Sequence, residues 1–454
     1  MMYLSYDTPH AVLELPTQAY PAGFGLNGGL KWLGKDHQMI NTARGLPDSY
    51  YHPDYENATY DDDHDRTTPE KPWPDVYKRY ATIVRRIDYQ VKDIIQLLKD
   101  LKIEENTLVI FTSDNGPSQE SYLKESFHPD FFGGYGPFDG IKRDLLEGGF
   151  RVPTIALWPG HIKAGAKISE PSIFYDWMPT FANLAGLPAP VVSDGKSLLP
   201  ELIDKGKSQS SVIYSEYTSG GRTPGYTDFS TNHRNRVRKQ MQMIRIGDTV
   251  GVRYDIKSAD DDFEIYHIRK DPQQTRDLAK TNDFSSLQAR LKASVLQMRK
   301  PDTTAKRPYD QALIPAVRSA SLTKGWLHYS YANPSPWLNI HDGSPAGTVS
   351  LKKLKVKDSE RVNCYQAYIE IPEDGTYTFR MTANGKAFLR VHDIALIDED
   401  FNYVPGTDKQ ETLRLAKGLH PVTIFYLANG NAKPGFDWSV LNEEGNVLNL
   451  KTYH

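Results

Sequence analysis

The sequence has a single cysteine, Cys364, among its 454 residues. An intramolecular disulfide and a zinc site built on several cysteines are therefore excluded. No apolar run approaches the roughly 20 residues of a membrane-spanning helix, so no membrane span is predicted. The formal net charge of -3 gives no basic surface for nucleic acid or for an anionic membrane. The first residues, Met1 to Asp7, lack the basic start and long apolar stretch of a signal peptide.

The stretch from Thr107 to Gly116 is an apolar run that ends in a carboxylate, an amide and a glycine. Leu108 to Phe111 are consecutive β-formers, which predicts a strand buried on both faces, as in a parallel sheet. Ligands of open α/β sheets bind just beyond the carboxyl ends of such strands, where Asp114 and Asn115 lie. Both side chains offer the hard oxygen ligands that calcium or magnesium takes. Taken alone, Asn-Gly is more simply a turn dipeptide, so the interpretation needs support from other segments.

The segments around this strand predict an α/β region followed by two further domains. Apolar residues recur every three or four positions between Asp75 and Leu101, which predicts an amphipathic helix leading into the strand. Beyond residue 235, short alternating strands and a helix over about 284–299 predict a small antiparallel α+β subdomain. The last part alternates at period two between turn signals, which predicts an all-β sandwich. The predicted divisions are 1–235 for the α/β region, 236–300 for the subdomain, 301–320 for a linker rich in Pro, Thr and basic residues, and 321–454 for the sandwich.

Six short motifs follow one another along residues 1 to 300. They are Asp-Thr-Pro-His10, Thr107 to Gly116, Gly140-Ile-Lys142 with Glu147 to Pro153, Asp176 to Thr180, Asp194-Gly195 and Ile265 to Pro272. Each motif is weak alone, but their order and rough spacing resemble the later part of a formylglycine-type, arylsulfatase-like sulfatase domain. The resemblance implies an incomplete alkaline-phosphatase-like sheet with flanking helices. It also replaces the turn-only interpretation of Asp114 and Asn115.

The resemblance implies functional roles for four residues. Asp114 and Asn115 would be calcium ligands, while His10 and Lys142 would contact the sulfate ester and its leaving oxygen. These roles are chemically coherent, because a divalent cation and an ammonium group neutralise charge that builds during displacement at sulfur. A histidine near the bridging oxygen can protonate the departing alcohol. Outside this context, Lys142 would be interpreted as a surface lysine and His10 as a loop histidine.

The residues that follow Lys142 are interpreted as structural. They are Glu147, Gly148, Gly149 and Arg151. The two glycines would allow a tight backbone turn that holds the lysine segment over the metal.

The C-terminal sandwich resembles the sugar-binding module first known from protective antigen, which is often appended to bacterial glycan-degrading enzymes. The similarity lies in strands and turns such as Gly375 to Phe379 and Lys417 to Tyr426. A purely structural sandwich is the alternative. The two resemblances together imply a sulfated carbohydrate as substrate and a periplasmic or secreted parent protein, whereas the sequence gives no indication of oligomeric state.

The sequence departs from the sulfatase pattern at the nucleophile. The family converts the Cys or Ser of a Cys/Ser-x-Pro-x-Arg motif to formylglycine, and no such motif occurs here. Cys364 lies in the sandwich and is followed by Tyr-Gln-Ala. The paired aspartates that complete the calcium shell are also absent, since Asp61 to Asp63 follow no strand and come after His10.

We therefore expect an N-terminally truncated sulfatase, arising as a gene fragment, from a misplaced start or as half of a split protein. Such a chain would not hydrolyse sulfate esters by the family mechanism and would bind calcium weakly, because calcium affinity follows ligand number and charge. Its sheet would have unpaired edges and a partly bare core.

Two other functions fit parts of the pattern. A non-catalytic glycan-binding protein would use the sandwich and keep the α/β region as a scaffold. A phosphodiesterase or phosphatase of the same superfamily would use a Thr or Ser nucleophile and more histidine ligands. The spacing of Lys142 and Glu147-Gly-Gly favours sulfate over phosphate.

Overall fold

The computed structural model describes residues 1–454 except 34–37, 41–44, 207–211, 282, 303, 341–348, 352, 357–359, 402 and 429–434. The chain divides into two compact units. Unit 1 comprises Met1–Ala166 and Pro224–Arg234, and unit 2 comprises Lys167–Thr223 and Asn235–His454. No helix in these described ranges has both the length and the apolar character needed to cross a bilayer.

Unit 1 is built from short elements and one long helix. Its helices are α1 (Pro53–Glu56), α2 (Asp75–Asp100) and α3 (Glu147–Phe150), and its strands are β1 (Lys31–Leu33), β2 (Gln38–Ile40), β3 (Thr59–Tyr60), β4 (Lys71–Pro72), β5 (Val109–Thr112) and β6 (Thr154–Leu157). The strands form three two-stranded sheets, β1 with β2, β3 with β4 and β5 with β6.

The long helix α2 confirms the helix predicted from apolar periodicity. Its buried residues Val76, Tyr77 and Ile83 pack with Leu13 and Phe127 in one apolar cluster. The helix ends at Asp100. One apolar stripe packed on the loops of unit 1 is the arrangement that a period of 3.6 residues produces.

The strand that precedes Asp114 differs from its prediction. β5 pairs with β6 in the antiparallel sense, with Val109 opposite Leu157 and Phe111 opposite Ile155. β5 is half-buried, and Ile155 and Leu157 are 62% and 42% exposed. The predicted parallel pairing with burial on both faces is therefore wrong, because β6 runs antiparallel to β5 and every residue of β5 is only half-buried. Among the described residues, β5 and β6 pair with each other and with no further strand, while the expected bare core stays a prediction.

In its described residues, unit 2 contains three α-helices and three sheets. Its helices are α4 (Trp177–Leu184), α5 (Leu199–Leu202) and α6 (Ser285–Met298), and its strands are β7 (Ile213–Arg222), β8 (Val237–Ile246), β9 (Thr249–Arg253), β10 (Glu264–His267), β11 (Trp326–Tyr331), β12 (Val349–Leu351), β13 (Val362–Ile371), β14 (Gly375–Ala383), β15 (Gly385–Val391), β16 (Ile394–Glu399), β17 (Asp408–Leu415), β18 (Gly418–Ala428), β19 (Phe436–Leu441) and β20 (Thr452–Tyr453). The sheets have the orders β10-β9-β8-β7, β12-β11-β13-β18-β15-β16 with β20 beside β13, and β17-β14-β19.

The four-stranded sheet packs against α6. Ile244, Phe263 and Ile265 of this region form a buried cluster with Leu291 and Val295 of the helix. This confirms the antiparallel α+β architecture. The first strand of this sheet, β7, lies before the predicted boundary at 235. It belongs to the sheet because it pairs with β8 along most of its length. Residues 167–223 accordingly group with unit 2 and not with the α/β region.

The last two sheets form the all-β region that the period-two pattern predicted. Side chains from both sheets fill one core, including Tyr365, Phe379, Leu389, Leu413 and Ile424. Buried residues alternate with less buried ones along the second half of β13 and the middle of β14, which is why the sequence pattern predicted these strands.

The segment predicted as a linker, 301–320, is instead part of the packed structure. Tyr309 is 0% exposed. Ile314 forms a bridge with Leu415, and Val317 forms one with Leu419. The linker prediction is therefore wrong for these residues, because a composition rich in Pro, Thr and basic residues does not reveal single buried anchors.

Candidate active site

Asp114 and Asn115 lie just beyond the end of β5, after Ser113, as the sequence predicted. Asp114 is exposed and Asn115 is half-buried. The amide Nδ2 of Asn115 donates a hydrogen bond to Oδ1 of Asp114. The hydroxyl of Ser113 donates to the carbonyl of Asn115 at 3.2 Å, which fixes the turn locally. The two side chains are therefore adjacent and oriented toward one another.

Backbone hydrogen bonds hold the Lys142 segment against the residues that follow Asn115. The N–H of Lys142 donates to the carbonyl of Pro117 at 2.8 Å, and the N–H of Gly116 donates to the carbonyl of Gly149 at 3.0 Å. The two predicted motifs, separated by about 25 residues of chain, thus meet through their main chains. The Lys142 side chain is half-buried.

Glycines make this close approach possible. A Cβ added at Gly116 would collide with the carbonyl oxygen of Gly148, and one at Gly148 would collide with that of Gly140. A Cβ at Gly149 would collide with the carbonyl oxygen of Ile141. The structural interpretation of Gly148 and Gly149 holds, but their role is close backbone packing, while the left-handed turn is at Gly140, with φ +91°.

Glu147 is the first residue of the short helix α3, and Arg151 follows its last residue. Nε of Arg151 donates to Oε2 of Glu147 at 2.8 Å, and the Arg151 guanidinium lies 4.7 Å from the ring centre of Phe138. Glu147 is buried. The contact between the two side chains and that of Arg151 with Phe138 agree with the structural role assigned to them.

His10 lies in an exposed turn near the start of unit 1. Its Nδ1 is 2.9 Å from the carbonyl oxygen of Ala11, and its N–H donates to the carbonyl of Asp7 at 2.7 Å. Within the described residues, no hydrogen bond joins His10 to Asp114 or Lys142. The structure therefore brings the Asp114 and Lys142 segments together, while the participation of His10 stays a prediction.

A buried acid–imidazole pair beside Lys142 was not identified from the sequence. Oδ2 of Asp139 lies 2.6 Å from Nδ1 of His233, and both side chains are 0% exposed. The N–H of Ser230 donates to the same Asp139 oxygen at 2.9 Å. The position of Asp139 directly before Gly140-Ile-Lys142 was a local signal, but nothing in the sequence connects it to a histidine 94 residues later.

The segment that carries His233, residues 224–234, is called the strap. It groups with unit 1 although it lies between two segments of unit 2. Its Phe229 forms an apolar cluster with Tyr135 and Ile141, and its Asp228 accepts a hydrogen bond from the Tyr135 hydroxyl at 3.0 Å. Burial and the Asp228 carboxylate raise the pKa of Tyr135, so this phenol stays protonated as the donor.

The donor set falls short of a calcium site. Calcium takes roughly six to eight oxygen ligands, and Asp114 and Asn115 supply only a few. Across the part of the chain that the structure describes, no group of three or more His, Cys, Asp or Glu side chains is placed to hold a metal ion. The Asn115 amide nitrogen also faces the Asp114 carboxylate. The residues present do not form a calcium site by themselves.

Family models match most of the chain. Residues 1–187 match the model described as Sulfatase, and residues 133–301 match N-sulphoglucosamine sulphohydrolase, C-terminal. Residues 351–449 match the PA14 domain. The first two matches together span residues 1–301 and define the class of this part of the chain, which belongs to the sulfatase family of the alkaline-phosphatase-like superfamily. Its C-terminal domain is a PA14 domain.

The curated relatives that the chain resembles include two kinds of sulfatase. N-acetylgalactosamine-6-sulfatase of Sus scrofa is 41% identical over 138 residues, which cover 30% of this chain and 25% of that protein. Steryl-sulfatase of Homo sapiens is 42% identical over 135 residues, which cover 29% and 22% respectively. The chain thus spans about a quarter of the length of the curated relatives it matches.

A similar solved structure is the PsFucS1 sulfatase from Pseudoalteromonas sp., at 25% identity and a TM-score of 0.35 over 48% of this chain and 42% of that chain. At that TM-score the structural likeness adds no weight to the assignment.

Proposed function

We propose that this chain supplies part of the active site of a calcium-dependent hydrolase that acts on sulfate esters of carbohydrate. The observation that carries the proposal is the main-chain pairing of the Asp114 segment with the Lys142 segment, inside residues that match the sulfatase family model. The PA14 match in the C-terminal sandwich supports carbohydrate as the substrate class. A periplasmic or secreted location is part of the same proposal.

The four predicted residues take distinct roles in this proposal. The ammonium group of Lys142 attracts the sulfate ester and offsets the negative charge that develops on its oxygens. His10 donates a proton to the departing alcohol oxygen. Asp114 and Asn115 would supply two oxygen ligands to a calcium ion only when further ligands from outside this chain complete its coordination.

The chain by itself is proposed to be inactive by the formylglycine route. Its sequence lacks a Cys/Ser-x-Pro-x-Arg motif, and its one cysteine, Cys364, is fully buried in the sandwich. A purified chain supplied with an aryl sulfate and calcium should therefore release no more product than buffer does. Turnover above buffer that disappears in Lys142→Ala would refute the inactivity and support the site.

Binding tests the site independently of turnover. In calcium buffer, the chain should bind a sulfated monosaccharide more tightly than its unsulfated counterpart, and Lys142→Ala should remove the difference. Lys163→Ala is the matched control, since Lys163 is an exposed lysine of the same unit. Equal binding of the two sugars, or a sulfate preference that survives Lys142→Ala, would contradict the proposal.

A second candidate function is glycan binding without catalysis. The observation that favours it is the PA14 match over a sandwich that is complete enough to bury a large core. This function predicts that the unsulfated sugar also binds, and that Lys142→Ala changes the affinity for neither the sulfated nor the unsulfated sugar. The same titration therefore separates the two functions.

A further inference from the structure

The strap has two buried side chains on the loop that precedes Lys142. His233 reaches Asp139 on one side of Gly140, and Phe229 packs against Ile141 on the other. Both strap residues are at most 1% exposed. The loop is therefore held by a polar contact and an apolar contact immediately before the lysine.

Asp139 connects the strap to the glycine-packed region. Its side chain receives the strap's Ser230 N–H and lies within hydrogen-bonding distance of His233. Its main-chain carbonyl accepts the N–H of Gly148 at 2.8 Å. A displacement of Asp139 is thus transmitted to Gly148, and from there to the residues packed around Gly116. A buried carboxylate that loses a hydrogen-bond donor is strongly destabilised, so removal of His233 acts on this point directly.

We propose that His233, acting through Asp139, is a positioning residue that holds the Lys142 segment against the turn after Asn115. The proposal rests on the function proposed above for Lys142. His233 does not touch the substrate in this arrangement. It fixes the main chain from which Lys142 projects, and geometry held by a supporting contact is what a charged binding group requires.

Amide hydrogen exchange of the full chain tests the positioning. His233→Leu removes the donor and keeps a buried side chain, so exchange at the amides of Lys142, Gly148 and Gly116 should become about tenfold to a hundredfold faster. The amides of α2 should be unchanged. His233→Asn retains a donor near the position of Nδ1 and should restore most of the protection. Thr231→Leu, at an exposed position of the strap, is the matched control.

A second measurement follows how far an anion protects the Lys142 amine from acetylation. A purely structural role of His233 would not change this protection at Lys142 alone. Inorganic sulfate should slow acetylation of Lys142 in the unsubstituted chain, as measured by peptide mass spectrometry. The protection should be lost in His233→Leu and regained in His233→Asn. Acetylation of Lys163 should be unaffected by sulfate in every variant.

The outcomes separate this proposal from the proposed function. Equally fast exchange in α2, no rescue by His233→Asn, or unchanged sulfate protection in His233→Leu would overturn the positioning role. A lack of sulfate protection in the unsubstituted chain would overturn the proposed anion site. In that case a selective, rescued change in exchange would still support the link from His233 to the Lys142 segment.

Discussion

Tyr309→Phe tests whether residues 301–320 are an integral part of unit 2. The Tyr309 hydroxyl donates to Oε2 of Glu216 at 2.6 Å and accepts from Nε2 of Gln240 at 2.7 Å. The ring is fully buried, and phenylalanine fills the same space, so the substitution removes the hydroxyl with little change in packing. The polar contacts alone therefore determine the expected effect.

The expected loss follows from what each partner retains. Glu216 keeps a hydrogen bond from the Tyr214 hydroxyl at 2.8 Å and one from Nε of Arg299 at 3.1 Å, so its charge stays partly compensated. The Oε1 of Gln240 still accepts a hydrogen bond from the Thr218 hydroxyl, but its Nε2 keeps only a long contact with the Met241 carbonyl at 3.5 Å. A lost hydrogen bond to a charged group, together with a poorly satisfied buried donor, should lower the free energy of unfolding of unit 2 by about 2–3 kcal/mol.

The measurement must resolve unit 2 from unit 1, because a chain with two units need not unfold in one transition. Amide exchange of β8 in increasing urea reports unit 2, and α2 serves as the internal reference for unit 1. Tyr122→Phe is the control, since Tyr122 is 65% exposed. A loss below about 0.5 kcal/mol would refute the inference that this hydroxyl anchors the segment, because such a change is ordinary for surface substitutions.

The effect should also depend on pH. Burial opposes ionisation of Glu216, but the Tyr309 hydrogen bond and the positive charge of Arg299 outweigh it and hold the pKa below its ordinary value. Stability from this carboxylate is therefore present above the ordinary glutamate pKa of about 4.3 and is lost as the pH falls through the lower folded-state value. The difference between Tyr309→Phe and the unsubstituted chain should accordingly shrink in that acid range.

Three further predictions follow from individual contacts. Gly148→Ala should lower the stability of unit 1 by about 2 kcal/mol or more, because its Cβ would strike two carbonyl oxygens, whereas Gly134→Ala, whose Cβ has its nearest neighbour at 3.4 Å, should change exchange-derived stability little. Burial and the neighbouring His420 lower the pKa of His392 to about 3, so unit 2 should lose stability from about pH 6.5 downward as the unfolded chain takes up the proton; His392→Asn should flatten this slope in urea unfolding at about pH 7 and about pH 4.5. Burial raises the pKa of the Cys364 thiol to about 12, so iodoacetamide at neutral pH should label the chain only in urea, and labelling of the native chain would contradict the placement of Cys364 in the core.

Sequence periodicity identified the elements whose burial pattern is regular. The helix α2 has one apolar stripe, and β13 and β14 alternate, so period alone located them. The meeting of the Asp114 and Lys142 segments was implied by the family resemblance of their motifs, since residue pattern alone does not reveal a contact between positions that far apart.

The missed features depend on contacts between residues far apart in sequence. An apolar run such as β5 indicates burial but not which strand will pair with it, and here the partner is antiparallel. The anchor Tyr309 lies in a segment whose overall composition is that of a linker. The Asp139 and His233 pair joins positions 94 residues apart, and no local pattern encodes such a contact.

The route of the chain has a practical consequence for dissecting the protein. Because the strap belongs to unit 1 but is flanked by β7 and β8 of unit 2, the polypeptide crosses between the units three times. A gene shortened to end at residue 166 would lose the strap and its contacts with Asp139 and Ile141. A gene starting at residue 167 would keep the strap but lack the two residues that it contacts. Neither unit can be isolated with one cut, so independent folding is testable only if the strap is grafted back onto unit 1.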